Sequence, residues 1–495
     1  MGRAMTSQLP APESSEAPDT MTLTEARDAI RTGALTSEEL VSACLRRIAE
    51  TEPALHACVT VMADAALTQA READASIQAK AGVGPLHGLP IALKDLIETR
   101  GVLTTAGSRV LDGWIPDRDA TVVTRLAQAG AIALCKTNTH EFAFGTYTPP
   151  TRNPWNTARI PGGSSGGSAA ALAVGDCPGA LGTDTGGSIR IPAACCGVTG
   201  LKPTYGLVSR TGIVPLSWSL DVVGPMARTV ADCALLLDAL AGYDPSDPDS
   251  VDVPLLNYTA ALSDARTPEV AVRGARIGVP MSYFFHPIDP EIEAAVRDAI
   301  AVFVSLGATV VELPMPASLD DFFGVYRGVQ RPEAYTWHSD MGWLTTRADR
   351  YAPTVRVNIE AGAEISAKDY IHAQQARRAF TTEMLALMEQ VDVLLTPTMA
   401  LPAPLADESD TPLRAGGEIV PEGNLRCAFP FNMTGQPALS LPCGFTSDGL
   451  PIGLQIVGSR FGEASILRLG HAYQRVTDWH TRRPPLPIAP TPADG

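Results

Sequence analysis

The chain predicts an α/β fold with strands joined by crossover helices, and two observations carry the prediction. Stretches with helical apolar spacing alternate with short, β-branched apolar runs along most of the length. The composition also suits a large packed core, with 495 residues, 45% hydrophobic and 19% charged. No internal repeat divides the sequence, so one domain over residues 21–490 is expected, preceded by a polar, Pro-rich and acidic leader over residues 1–20.

The elements follow in order. MTLTEARDAIRTG and LTSEELVSACLRRIAETEP read as amphipathic helices, the second opened by Thr36 with Glu39 three positions on, a capping box. ACVTVM reads as a strand and Ala63 to Lys80 as an Ala-rich helix, followed by the loop GVGPLHGLP. The helix–strand pairs TVVTRLAQAG/AIALCKTN, SAAALAV/PGALGTDT and EIEAAVRDAIAVFVSLG/ATVVELP continue the alternation. A helical segment at about 320–370 is dotted with Phe322, Phe323, Tyr326, Tyr335, Trp337, Trp343 and Tyr351, and reads as a lid or wall over the sheet. VDVLLTP, ALSLPCGF and PIGLQIVG are late strands.

Charge and cysteine usage narrow the function. The net charge of −16 argues against a surface held to nucleic acid by phosphate contacts. Nine scattered Cys, with no C-x-x-C pair, read as reduced thiols of a cytoplasmic protein rather than as disulfides or metal ligands. The start of the chain has no signal-peptide pattern, and the apolar run Ala169–Gly175 is far short of the roughly 20 residues of a membrane span.

The chemistry is concentrated between Pro161 and Gly206. A Gly/Ser run alone reads as a linker, but here GGSSGG is followed at once by an apolar helix and then by GTDTGGSIR, a strand ending in a second Gly-Gly-Ser turn. Without a Cβ on Gly186 and Gly187, backbone N–H groups can converge on one point, as a tetrahedral oxyanion requires, with the Ser188 hydroxyl beside them. That hydroxyl needs a base. His87 and His140 read as structural or surface histidines; Lys94, carried inward on the apolar strand GLPIALKD, is the better candidate if burial lowers its pKa.

GGSSGG, GTDTGGSIRIPAACCGVTGLKPTYG and the upstream GLPIALKD together resemble the amidase-signature enzymes, and KTNTHEFAFG, TRNPWN, SLDVVGPMARTVADCALLLDALAG and NMTGQPALSLPCGF extend the resemblance over nearly the whole chain. The resemblance implies a large mixed sheet covered by helices on both faces. It makes Ser188 the nucleophile, Ser164, after a cis peptide, the bridging serine, and Lys94 the base, with Thr185, Gly186, Gly187 and Ser188 supplying the oxyanion N–H groups. Ser165, Asp184, Arg190 and Lys202 match as supports. The implied activity is hydrolysis of a carboxylic amide to acid and ammonia or amine, without metal or other cofactor. Alternatives on the same residues are the A subunit of an aminoacyl-tRNA amidotransferase, acting as a glutaminase, and a carbamate or urea-type hydrolase.

For the substrate, Phe144 and Tyr147 in AFGTYT, Trp218, the 320–370 aromatics and Phe431 are candidates for an apolar pocket suited to an aryl or alkyl amide. The expected partner is a small amide molecule, with no nucleic acid and no membrane, and a homodimer as the default assembly.

Overall fold

The computed structural model describes residues 17–79, 83–263, 266–319, 322–408, 414–415, 418–420 and 422–485. Of the expected leader, residues 1–16 lie outside the described residues, and Pro18–Thr20 form one 3-10 turn. The capping box at Thr36 is present: its hydroxyl accepts from Glu39 N–H at 3.1 Å, while its own N–H donates to the Glu39 carboxylate at 2.8 Å. It opens the helix Ser37–Leu55.

Eleven strands form one mixed sheet: β1 (Cys58–Val61), β2 (Pro90–Lys94), β3 (Ile132–Thr137), β4 (Gly179–Asp184), β5 (Thr199–Lys202), β6 (Val222–Ala227), β7 (Arg276–Val279), β8 (Thr309–Glu312), β9 (Val393–Pro397), β10 (Ala438–Phe445) and β11 (Pro451–Gly458). Their order is β1-β3-β2-β4-β6-β5-β10-β11-β9-β7-β8. β2 runs parallel to both β3 and β4, with Leu93 opposite Leu181, so the carboxyl ends of β2 and β4 reach the same edge. In open α/β sheets that edge is where ligands bind.

β2, β4, β5 and β6 are buried along their whole length, so none of them shows the in–out alternation of a half-exposed strand. One core of apolar side chains spans the sheet, and a satellite cluster packs Phe142 against Trp343, Tyr351, Val355 and Ile359 of the 320–370 segment. That segment comprises the helices Phe322–Asp340, Trp343–Thr346 and Pro353–Glu360. Among the described residues no helix is long and apolar enough to cross a membrane.

Candidate active site

Lys94 is the last residue of β2, and its side chain is fully buried. Its Nζ lies 2.7 Å from Ser164 Oγ and 2.8 Å from Thr183 Oγ1 on the neighbouring β4. Burial pushes the Lys94 amine down to about 7, against the carboxylates of Asp184 and Asp221, which act to raise it. An amine with that value is uncharged about half the time at neutral pH, whereas an exposed lysine is uncharged only about once in a few thousand.

Ser164 precedes the helix Gly166–Val174, and the Gly163–Ser164 peptide is cis. Its carbonyl accepts from His140 N–H at 3.2 Å and from the Thr148 hydroxyl at 3.2 Å, which fixes the loop. Gly163 cannot carry a side chain, because a Cβ there would lie 2.6 Å from the Tyr147 carbonyl oxygen. Ser165 ties the same loop to β4: its hydroxyl donates to Thr183 O at 3.2 Å, and its N–H donates to the Ser188 carbonyl at 3.2 Å. The two hydroxyls of Ser164 and Ser188 make no hydrogen bond to each other among the described residues; their backbones meet through Ser165.

Ser188 lies in the turn between β4 and the helix Arg190–Cys196. The Asp184 carboxylate organises this turn, accepting from Gly187 N–H at 2.8 Å and Ile189 N–H at 3.1 Å. It also pairs with Arg190, whose Nη2 lies 2.9 Å away and whose side chain is fully buried. Burial alone would raise the Asp184 carboxyl, but the Arg190 guanidinium and Lys202 hold it well below the usual carboxylate range. Arg190 in turn donates to Ala428 O, Gln455 Oε1 and Asn432 Oδ1 at 2.7–2.8 Å, so the turn is braced from β11 and from the Pro430–Met433 helix. Burial, aided by repulsion from Arg190, brings Lys202 itself down to about 7.

One expectation about this turn needs correction. The Gly187 N–H does not face the cavity, because the Asp184 carboxylate takes it; among the expected donors, those of Thr185, Gly186 and Ser188 have no such partner among the described residues. Gly187 contributes through its backbone instead, with φ +135° where an L side chain is rarely tolerated. The Thr185 side chain donates to Asp221 at 2.5 Å, and burial lifts that carboxyl to about 6 against the hydrogen bonds it accepts.

Thr185, Gly186 and Ser188 open on a cavity of about 170 Å³, whose walls include Phe144, Leu216, Phe323, Tyr326, Arg327, Gln330, Arg331, Asn358 and Leu425. Tyr326 packs so closely that a Cβ on Gly186 would lie 2.5 Å from its hydroxyl. The 320–370 segment is therefore a wall of this cavity. A larger cavity of about 770 Å³, among Trp114, Trp337 and Trp343, contains none of the serines or lysines named above.

The expected apolar pocket is only partly assembled. Phe144 lines the cavity. Trp218 is 41% exposed and sits in a separate groove with Arg210 and Asp247. Phe431 is fully buried and stacked on Phe284 at 5.7 Å between centroids, a core position. Tyr147 stands edge-on to His140 at 5.0 Å and is not among the lining residues. His140 is buried and held neutral, its pKa lowered by burial to about 4, and the His87 ring bonds Ala73 O at 3.0 Å. Of the 320–370 aromatics offered for the pocket, Phe323 and Tyr326 do line the cavity; sequence reading missed Thr183, Asp221, Gln455 and Asn432, which reach the site only through tertiary packing. Among the described residues no group of three His, Cys, Asp or Glu is placed to hold a metal ion, and all nine cysteines are free.

Comparison with known proteins fits this geometry. The amidase family model matches residues 39–467. A relative from Roseiflexus sp. (strain RS-1), the A subunit of a glutamyl-tRNA(Gln) amidotransferase, is 46% identical over 94% of this chain and 99% of its own length. Among solved structures, a bacterial aryl acylamidase of the amidase-signature family aligns with a TM-score of 0.85 at 28% identity, covering 93% of this chain and 97% of its own. The corresponding A subunit of glutamyl-tRNA(Gln) amidotransferase from Thermotoga maritima aligns at 0.77 with 31% identity, covering 96% and 99%. These names correct the expectation of a small-molecule partner alone without nucleic acid: relatives along the full length are subunits of an enzyme named for a tRNA, so the net charge of one chain does not decide the matter. On the family match, the full-length identity and the shared fold, this chain belongs to the amidase family and has the α/β architecture of the amidase-signature enzymes.

Proposed function

We propose that the chain hydrolyses a carboxylic amide through an acyl-enzyme on Ser188, and the observation that carries this reading is the buried Lys94 amine, lowered to about 7 and 2.7 Å from the Ser164 hydroxyl. Neutral Lys94 takes the Ser164 proton as Ser164 takes that of Ser188, whose oxygen attacks the amide carbon. The carbonyl oxygen becomes an oxyanion facing the N–H groups of Thr185, Gly186 and Ser188, each such donor mattering by about 10²–10³ in rate. Collapse breaks the C–N bond, and the protons return through Ser164 to the leaving nitrogen. Water then repeats the route and releases the acid. Closing the relay requires the Ser188 hydroxyl to turn toward Ser164, a tightening that free active sites commonly leave to substrate binding. Ser188→Ala should fold normally and lose both amide hydrolysis and labelling by a fluorophosphonate; retained hydrolysis would sink the mechanism.

The names of the full-length relatives support a narrower reading, in which the amide is that of glutamine and the ammonia passes to a partner protein that works on aminoacyl-tRNA. Its test is glutaminase activity that rises on mixing with the remaining subunits of such an amidotransferase. A second reading, hydrolysis of a free amide other than glutamine, is favoured by the cavity lining: no described lining residue is an aspartate or glutamate, so no carboxylate there neutralises the α-ammonium of an amino acid.

A further inference from the structure

The wall opposite the Ser188 turn carries an arrangement that the proposed chemistry does not use. Arg327 and Arg331 lie four residues apart on the helix Phe322–Asp340, hence on one face of it, and both line the cavity. Arg331 is half-buried and spends one guanidinium donor on Asn358 Oδ1 at 2.9 Å. Arg327 stands at the exposed rim with its guanidinium 4.4 Å over the Phe323 ring. Among the described residues neither side chain forms an ion pair or any further hydrogen bond; the carboxylate that feels Arg327, Glu422, is already paired with Arg426 at 3.1 Å. Like charges at this spacing destabilise a helix. An arginine turned to bulk solvent would have water for its donors, but Arg331 has a cavity before it, and burial together with Arg327 lowers its pKa.

The geometry points to a substrate anion: Arg327 and Arg331 hold a carboxylate borne by the amide substrate, which makes them specificity-determining residues. Because no carboxylate lines the cavity among the described residues, the substrate carries no ammonium beside that anion; the fitting class is the monoamide of a short dicarboxylic acid. Tyr326, against Gly186, marks the oxyanion end of the cavity, and Arg331 lies five residues further along the helix, about 7.5 Å by helical rise. A short diacid chain and the guanidinium arm span that distance between them, with Phe144, Leu216 and Leu425 against the methylenes. A guanidinium binds a carboxylate through two parallel N–H bonds, which lysine in the same place cannot do. This inference replaces the expected preference for an uncharged aryl or alkyl amide, and it rests on the second reading above.

Three amides of matched length separate the outcomes: glutaramate, pentanamide, which lacks the carboxylate, and glutamine, which adds the ammonium. The wild-type chain should favour glutaramate over each of the others by at least about 10-fold in kcat/KM. Arg331→Gln and Arg327→Gln should each lower glutaramate turnover by about 10-fold, mostly through KM, and leave pentanamide within about 2-fold. Pentanamide turned over as well as glutaramate overturns the anion site while leaving hydrolysis intact. Losses shared equally by both amides make the arginines supports of the helix, and also overturn it. Glutamine equal to glutaramate overturns the exclusion of an ammonium and favours the amidotransferase reading. Absence of turnover of all three overturns the inference, and reaction of Ser188 with a fluorophosphonate then tells whether the hydrolase reading falls with it.

Discussion

Lys94→Met keeps the unbranched side chain to within one heavy atom and removes its amine, so it separates the cost of burying that amine from its use. In the wild type, burial holds the amine at about 7, below its ordinary value of 10.5. Between those values the unfolded chain keeps a proton on Lys94 that the folded chain has released. The unfolded state therefore binds more protons, and wild-type stability rises with pH across this window. Each pH unit is worth about 1.4 kcal/mol, so the contribution of Lys94 improves by about 3 kcal/mol from pH 8 to pH 10. The variant lacks this slope, and Lys202, also at about 7, titrates in both proteins and cancels from their difference. The variant also loses the hydrogen bonds to Ser164 and Thr183, about 1 kcal/mol each. At pH 7 Lys94→Met should consequently be the more stable by about 2 kcal/mol while losing about 10²–10⁴ in kcat. By pH 10 the order of stability reverses. Urea unfolding of both proteins at pH 7, 8, 9 and 10 measures the difference directly. A difference that stays flat across that range refutes the lowered pKa and, with it, Lys94 as a base at neutral pH.

Three further outcomes follow from the geometry. Asp184→Asn strips the buried Arg190 of its carboxylate and should cost about 3–5 kcal/mol in denaturant unfolding; because the same carboxylate holds Gly187 and Ile189 N–H, activity should fall further than stability predicts. Gly187→Ala forces an L residue to φ +135° with its Cβ 2.6 Å from that of Ala428, so a stability loss of about 1–3 kcal/mol and strongly reduced kcat are expected; near-wild-type kcat would show that the turn tolerates movement. Trp218→Ala, in a groove apart from Ser188, should leave kcat/KM for small amides within about 2-fold, and a larger change in that constant would put the residue in the substrate's path.

Much of the fold was legible because its signals are local. The run GALGTD became β4 and IALCKT became β3, each within a residue or two of the apolar stretch that announced it. β5, β6 and β7 escaped reading: TGLK and RIGV are too short to show a period, and VVGPMA carries Gly and Pro, which ordinarily argue against a central strand. The lysine was legible for a related reason, since a cation at the end of a five-residue apolar strand has no route back to solvent. The neighbours that make it useful were not. Thr183 is brought to it by the parallel register of β2 and β4, a pairing between strands some 90 residues apart in the chain. Aromatic residues misled for the opposite reason, because their type alone does not separate a core role, as for Phe431 on Phe284, from a lining role, as for Phe144.

The most direct test of serine acyl transfer is intact-protein mass measurement after rapid acid quench during turnover of an activated amide or ester, followed by peptide mapping. A covalent acyl group on Ser188 in the wild type, absent from Ser188→Ala and strongly reduced in Lys94→Met, is the result the mechanism predicts. Steady turnover with Ser188 unmodified at every quench time, or with the acyl group on another residue, contradicts it.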